Sequence, residues 1–130
     1  MSKIQFDLVS PERLLLSQPV DMVTIPGSEG YMGVMAGHMA LVSTLRAGMI
    51  DMKDNGVDTR FFIRGGFAEI NATQVTVLAE EAIPMTELDL AVLDQRIKDA
   101  QEDEIAADTD AARQRAAQLV DDLQLLRAAF

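Results

Sequence analysis

The sequence predicts two architectures in one chain: an all-β N-terminal sandwich followed by an α-helical antiparallel hairpin. Three observations carry this. Over residues 1–84, short runs of alternating apolar and polar residues recur, with turn signals about every 6–12 residues. Asn55-Gly56 lies between two such runs, and a type I′ hairpin turn needs φ > 0 at both its central residues. After Pro84 the apolar spacing changes from two to the three-and-four rhythm of helices. The expected division is therefore residues 1–84 and residues 85–130. The β part leaves no room for the crossover helices of a parallel sheet.

Ile4, Phe6 and Leu8 alternate with Gln5 and Asp7, the pattern of a strand with one buried face. Ser10-Pro11-Glu12 breaks it. Leu14–Leu16 is a second run, and Gln18-Pro19 is expected to end it, because proline cannot donate to a ladder. Val20, Met22 and Thr24 alternate with Asp21, Val23 and Ile25, and Pro26-Gly27 is expected to close that strand. Ile25–Leu45 then reads as a glycine-rich loop. It holds four of the eight glycines, the only tyrosine, the only histidine and Met32, Met35 and Met39. Strands follow at Leu41–Leu45, Met49–Lys53, Thr59–Arg64, Phe67–Asn71 and Val75–Ala79, with Gly65-Gly66 as a bend between two of them. The residues alone give eight or more strands, the spacing of a sandwich or flattened barrel.

In the second part, Thr86-x-x-Asp89 resembles a capping box, and Leu90, Leu93, Ile97 and Ala100 form one helix face. Glu102-Asp103-Glu104 opposes the dipole near the helix end, so fraying is expected there. Asp108-Thr109-Asp110 offers N-caps for a second helix. Its seam is Ala112, Ala116, Leu119, Leu123, Leu126 and Phe130. A short link between amphipathic helices implies an antiparallel hairpin, joined along Leu93, Ile97 and this seam. Alanine buries little, so the hairpin is expected to be modestly stable.

Composition excludes several functions. The chain of 130 residues has no cysteine, hence no thiolate chemistry and no disulfide. A net charge of −10 argues against binding nucleic acid or anionic lipid. The imbalance is steepest after residue 84, with eleven acids against five bases. No apolar run is long enough to span a membrane, and the N-terminus has no signal-peptide pattern.

Candidate chemistry is sparse. His38 has no sequence neighbour to orient it as a base, and one histidine with scattered carboxylates gives no metal spacing. Gly27-x-x-Gly30-x-x-Gly33 is neither the dinucleotide fingerprint nor a P-loop, and reads as backbone corners needing φ > 0. Glu80 and Glu81 point to opposite faces of a strand and read as solvated strand-end charges rather than a dyad. By elimination the chain reads as an interaction module with no cofactor.

Val9-Ser10-Pro11-Glu12, Ile25-Pro26-Gly27-Ser28-Glu29-Gly30, Gly37-His38, Thr44-Leu45, Gly48, Gly65-Gly66-Phe67-Ala68-Glu69 and Val75-Thr76-Val77-Leu78-Ala79-Glu80 stand in consistent order. Together they resemble the epsilon subunit of bacterial F-type ATP synthase, from about Phe6 to Ala82. The helical part resembles that family in layout only. The resemblance implies about ten strands in the sandwich and a non-catalytic subunit of the central stalk. Its partners would be the gamma subunit and the c-ring, with the alpha/beta head reachable by the C-terminal helices. Its location would be peripheral, on the cytoplasmic face of the bacterial inner (plasma) membrane, held through the complex.

Carried over by position, Glu29, Gly30, Tyr31 and Met32 would form the loop tip facing the c-ring. Ser10, His38 and Met39 would face gamma. Relatives that bind ATP carry Ile/Leu-Asp-x-x-Arg-Ala, whereas this chain reads Leu88-Asp89-Leu90-Ala91-Val92. The phosphate-pairing arginine is absent, so ATP binding is not expected. An acidic arm also suits docking on an acidic partner poorly, so inhibition of hydrolysis is expected to be weak. Two other readings compete: a free-standing β-sandwich protein-binding regulator, and an acid-dyad hydrolase needing two convergent carboxylates about 5–10 Å apart.

Overall fold

The structure, a computed structural model, describes residues 2–129. The chain divides into two compact units, Met1–Met85 and Thr86–Phe130. The first contains eight strands: β1 (Ile4–Val9), β2 (Leu14–Val20), β3 (Met22–Gly27), β4 (Gly30–Val34), β5 (Leu41–Thr44), β6 (Gly48–Asp54), β7 (Val57–Ile70) and β8 (Gln74–Pro84).

The two long strands explain how eight strands make a sandwich of about ten. Val57–Ile63 of β7 pairs with β6, but Phe67–Ile70 pairs with β5. The switch falls at Gly65-Gly66, both with positive φ, where the strand bends without ending. Likewise only Gln74–Leu78 of β8 pairs with β1, in parallel. One layer is thus β5, the second half of β7, the first half of β8, β1 and β2. The other is β4, β3, β6, the first half of β7 and the second half of β8. The bend that the sequence places at the two glycines is observed, because glycine removes the Cβ that would resist it; the runs read as two strands on either side of it form one continuous strand.

One core fills the space between the layers. Ile4, Phe6 and Leu8 from β1 meet Val23 and Ile25 from β3, Ile50 from β6, and Val75 and Val77 from β8. The alternation read in β1 is the alternation observed: Ile4, Phe6 and Leu8 are buried, Gln5 and Asp7 half-buried. One proline reading needs correction. Pro19 does not end β2, which continues to Val20. β2 pairs only with β1, and an edge strand tolerates a missing donor. Pro26-Gly27 closes β3 as read, the strand ending at Gly27, beyond the stretch Met22–Thr24 that pairs with β6. The Pro26 carbonyl accepts from the Arg46 amide at 3.0 Å. Asn55 and Gly56 have φ of 52° and 79°, as the type I′ turn requires.

Asp7 supplies a pH-dependent tie across the outer face of β1. It accepts from Ser17 Oγ at 2.6 Å, Gln74 Nε2 at 2.8 Å and Gln5 Nε2 at 3.2 Å. The Ser17 bond chiefly, with those from the two glutamines, holds its carboxyl below the usual 3.8, against a smaller opposing effect of burial. A depressed folded pKa contributes stability above the unfolded pKa and loses it as pH falls through the folded value. Asp7→Asn should therefore destabilise at pH 6, and its gap from wild type should narrow as pH falls below about 4. Urea midpoints at pH 6 and pH 3 check this; an unchanged gap contradicts it.

The second unit holds α1 (Leu90–Ala106) and α2 (Asp110–Ala128), preceded by a 3-10 turn at Met85–Glu87. The capping-box reading is corrected. Thr86 lies in the 3-10 turn, and Asp89 is the N-cap, accepting from the amides of Ala91 and Val92 at 2.9 and 3.3 Å. α1 runs on past Glu104 to Ala106, with no basic residue in its last turn. Thr109 caps α2 through the Ala112 amide at 3.1 Å. Arg127 Nε donates to Asp94 Oδ1 at 2.9 Å, joining the end of α2 to the start of α1, so the helices are antiparallel. This exposed pair is worth about 0–1 kcal/mol. Apolar packing therefore dominates: Leu93, Leu123 and Leu126 are buried, while Ile97, Ala112, Ala116 and Leu119 are half-buried. Val120, also buried, lies on the same stripe four residues after Ala116, a spacing the seam reading passed over. Phe130 lies outside the described residues.

Candidate functional site

The glycine-rich stretch is a β-hairpin and not a loop. β3 and β4 pair from Val23↔Val34 to Gly27↔Gly30, leaving Ser28 and Glu29 as the exposed tip. Gly30 takes the positive φ of 137° that the reversal needs. Gly27 has a different reason: a Cβ there would lie 2.9 Å from the Gly30 carbonyl oxygen. Gly33 lies within β4 and has neither positive φ nor a close neighbour. The reading of all three as positive-φ corners therefore holds only for Gly30.

Tyr31 and Met32 are on the second strand, behind the tip. Met32 is half-buried and packs against the sandwich core. Tyr31 faces outward, 53% exposed, but its groups are engaged. Its hydroxyl accepts from the Met49 amide at 3.3 Å, and the Arg46 guanidinium lies 4.9 Å from its ring centroid. Arg46 also donates from Nε to the Gly27 carbonyl at 3.3 Å. Ser28 donates its amide to the Thr44 carbonyl at 3.0 Å, which lays the tip along β5. Between them runs a shallow groove of about 410 Å³, lined by Ser28, Glu29, Met32, Leu41 and Val42 among others.

β4 leads into a turn at Met35–His38, fixed by His38 N to Met35 O at 3.2 Å and Gly37 N to Ala72 O at 2.8 Å. His38 Nδ1 lies 2.7 Å from the Met39 carbonyl, so its ring is held by the adjacent backbone. Met39 is 81% exposed, and Met35, Leu41 and Val42 are exposed beside it in sequence. Ser10 is elsewhere. It starts the β1–β2 turn, exchanging backbone hydrogen bonds with Arg13. Register fixes the separation: Leu41 aligns with Ile70, Val75 and Phe6, whereas Thr44 aligns with Phe67, Leu78 and Val9. His38 and Met39 precede the first of these rows and Ser10 follows the last. The fold thus brings His38 and Met39 together and leaves Ser10 at the opposite end of the layer.

The acids offer little for catalysis. Glu12, Glu80 and Glu81 line a groove of about 230 Å³ with Ser10, Ala82 and Ile83. Glu81 is 3.6 Å from Arg64 and mid-strand, not a solvated strand end. Glu12 and Glu80 are both exposed to solvent. Among the described residues no group of three or more His, Asp or Glu converges as a metal site. No helix is long and apolar enough to cross a membrane.

Residues 3–85 match the family model of the ATP synthase delta/epsilon chain β-sandwich domain. The chain belongs to this family. It is 52% identical over 126 residues to the ATP synthase epsilon chain of Parvibaculum lavamentivorans, covering 96% of both chains. It is 45% identical to that of Maricaulis maris, covering 97% of this chain and 95% of that one. A chain in the Euglena gracilis mitochondrial ATP synthase structure (OSCP/F1/c-ring, rotational state 1) superposes with a TM-score of 0.83 at 29% identity, covering 99% of this chain and 82% of that one. The match to the Parvibaculum chain, over 126 residues, takes in residues of both units.

Proposed function

We infer that the protein is a non-catalytic central-stalk subunit of a proton-translocating F-type ATP synthase, coupling rotation of gamma and the c-ring to ATP synthesis. The observation that carries this is the near-full-length match to ATP synthase epsilon chains at up to 52% identity. The sandwich, residues 1–84, is the docking unit. Its hairpin tip, Glu29 and Gly30 with Tyr31 and Met32 behind, faces the polar loops of the ring. His38 and Met39 form one contact with gamma, and Ser10 a separate one at the other end of the same layer. Residues 85–130 form an arm that reaches the alpha/beta head only weakly, because its acids outnumber its bases eleven to five. With Val92 where the family's arginine would stand, the arm does not bind ATP. The complex holds the protein peripherally on the cytoplasmic face of the bacterial inner membrane.

Removing residues 85–130 tests both halves of this reading. Complexes assembled with the shortened chain should form normally and hydrolyse ATP at a nearly unchanged rate. A several-fold activation would overturn weak regulation. Loss of assembly would overturn the sandwich as the docking unit.

A further inference from the structure

We infer that Arg46 is a positioning residue, a clasp that sets the angle of the hairpin tip, and that Tyr31 is the part of the hairpin it grips. The inference rests on the reading of the tip as a ring contact. Arg46 lies in the turn between β5 and β6, fifteen residues from Tyr31, and reaches the hairpin three ways. Its amide donates to the Pro26 carbonyl at 3.0 Å, its Nε to the Gly27 carbonyl at 3.3 Å, and its guanidinium covers the Tyr31 ring at 4.9 Å. Tyr31 completes the loop of contacts by accepting from the Met49 amide, three residues after Arg46. Gly48 leaves room for this: a Cβ there would stand 2.9 Å from both Tyr31 Oη and Pro26 Cβ.

The rest of the hairpin needs such a tie. β6 pairs with β3 only at Met22–Thr24, so beyond the buried Ile25–Gly27 the turn at Ser28 and Glu29 projects past that ladder. Beyond that point the tip is held by Ser28 N on Thr44, by the Gly27↔Leu45 bridge and by Arg46. An unsupported two-residue turn would swing about β3. Arg46 covers one ring face of Tyr31 and leaves the rest of the side chain outward, behind the exposed Ser28 and Glu29.

Amide exchange on the isolated protein tests the clasp whether or not a ring is bound. Arg46→Ala and Tyr31→Phe should each speed exchange at Met49 by about two- to fivefold, the factor expected from one exposed cation–π contact or weak hydrogen bond. Exchange in β1 and β8 should not change, and Arg46→Lys should recover part of the loss at the ring but not at Gly27. Unchanged exchange at Met49 in both variants overturns the inference. The second readout is disulfide or maleimide cross-linking from Glu29→Cys to the c-subunit loops in the assembled complex. Arg46→Ala should lower its yield while gamma binding stays within error and the melting temperature falls by no more than about 8 °C, the effect of losing one such contact. A parallel loss of gamma binding, or a larger fall in melting temperature, means a merely structural role and overturns positioning. If Glu29→Cys gives no cross-link with Arg46 intact, the ring-facing reading fails by itself, and the exchange data still decide the clasp.

Discussion

Gly66→Ala should cost the sandwich more than about 3 kcal/mol, the largest loss expected of any single methyl group added to this chain. Two causes add. Gly66 has φ of 109°, a conformation that L side chains rarely adopt. A Cβ there would fall 1.9 Å from the Leu78 carbonyl oxygen and 2.9 Å from Ala79 Cα, both backbone atoms of the paired strand. Neither can move without breaking the β7–β8 ladder at the point where β7 changes layers. At about 4–8 °C per kcal/mol for a domain of this size, the melting temperature should fall by more than about 12 °C, or the protein should not accumulate. Gly65→Ala is the built-in comparison. Its φ of 60° lies in the left-handed region, and its new Cβ would meet only the Glu80 carboxylate at 3.0 Å, which can swing away. It should cost about 1–2 kcal/mol. Equal melting temperatures for the two variants would contradict the bend described here.

Leu123→Ala should unfold the arm without unfolding the sandwich. Leu123 is fully buried on α2, and truncating a buried leucine costs about 2–5 kcal/mol. The arm has little to offset that. Alanines at 112 and 116 fill part of its seam, and its Arg127–Asp94 pair is exposed. The 222 nm circular dichroism signal of the helices should melt at a clearly lower temperature. The near-ultraviolet signal of Tyr31, the chain's only tyrosine, should melt where it does in the wild type. Loss of both signals together would mean that the two units do not fold separately.

Much of the fold was legible because local chemistry and global arrangement agree. The alternation of Ile4, Phe6 and Leu8, the Asn55-Gly56 turn and the leucines of α2 each state their structure within a few residues. The misreadings share a cause: they depend on what lies beside the segment. Pro19 reads as a break, yet it sits on an edge strand that tolerates a missing donor. Gly65-Gly66 reads as a bend between two strands, and only the ladder to β8, which spans both halves, shows the two to be one. Thr86 and Asp89 are both acceptable caps in sequence, and the choice falls to the 3-10 turn that precedes the helix.

The site was legible as a location and not as a mechanism. The glycines, Tyr31 and Met32 drew attention to residues 25–45, and the resemblance assigned a direction to them. The sequence reading spread the tip over Glu29, Gly30, Tyr31 and Met32, because nothing in it shows Gly27 paired with Gly30, which leaves Ser28 and Glu29 as the turn. Arg46 carried no signal at all, being a single cation in a turn fifteen residues away. Ser10 and His38 were grouped by analogy, whereas strand register sets them at opposite ends of one layer.

The central claim is that this chain works by contact within the stalk. Mixing the full-length protein with the gamma subunit of the same synthase and measuring mass by light scattering after size exclusion tests it most directly. A stable 1:1 complex is the predicted result. Two species that elute apart at micromolar concentration would contradict it.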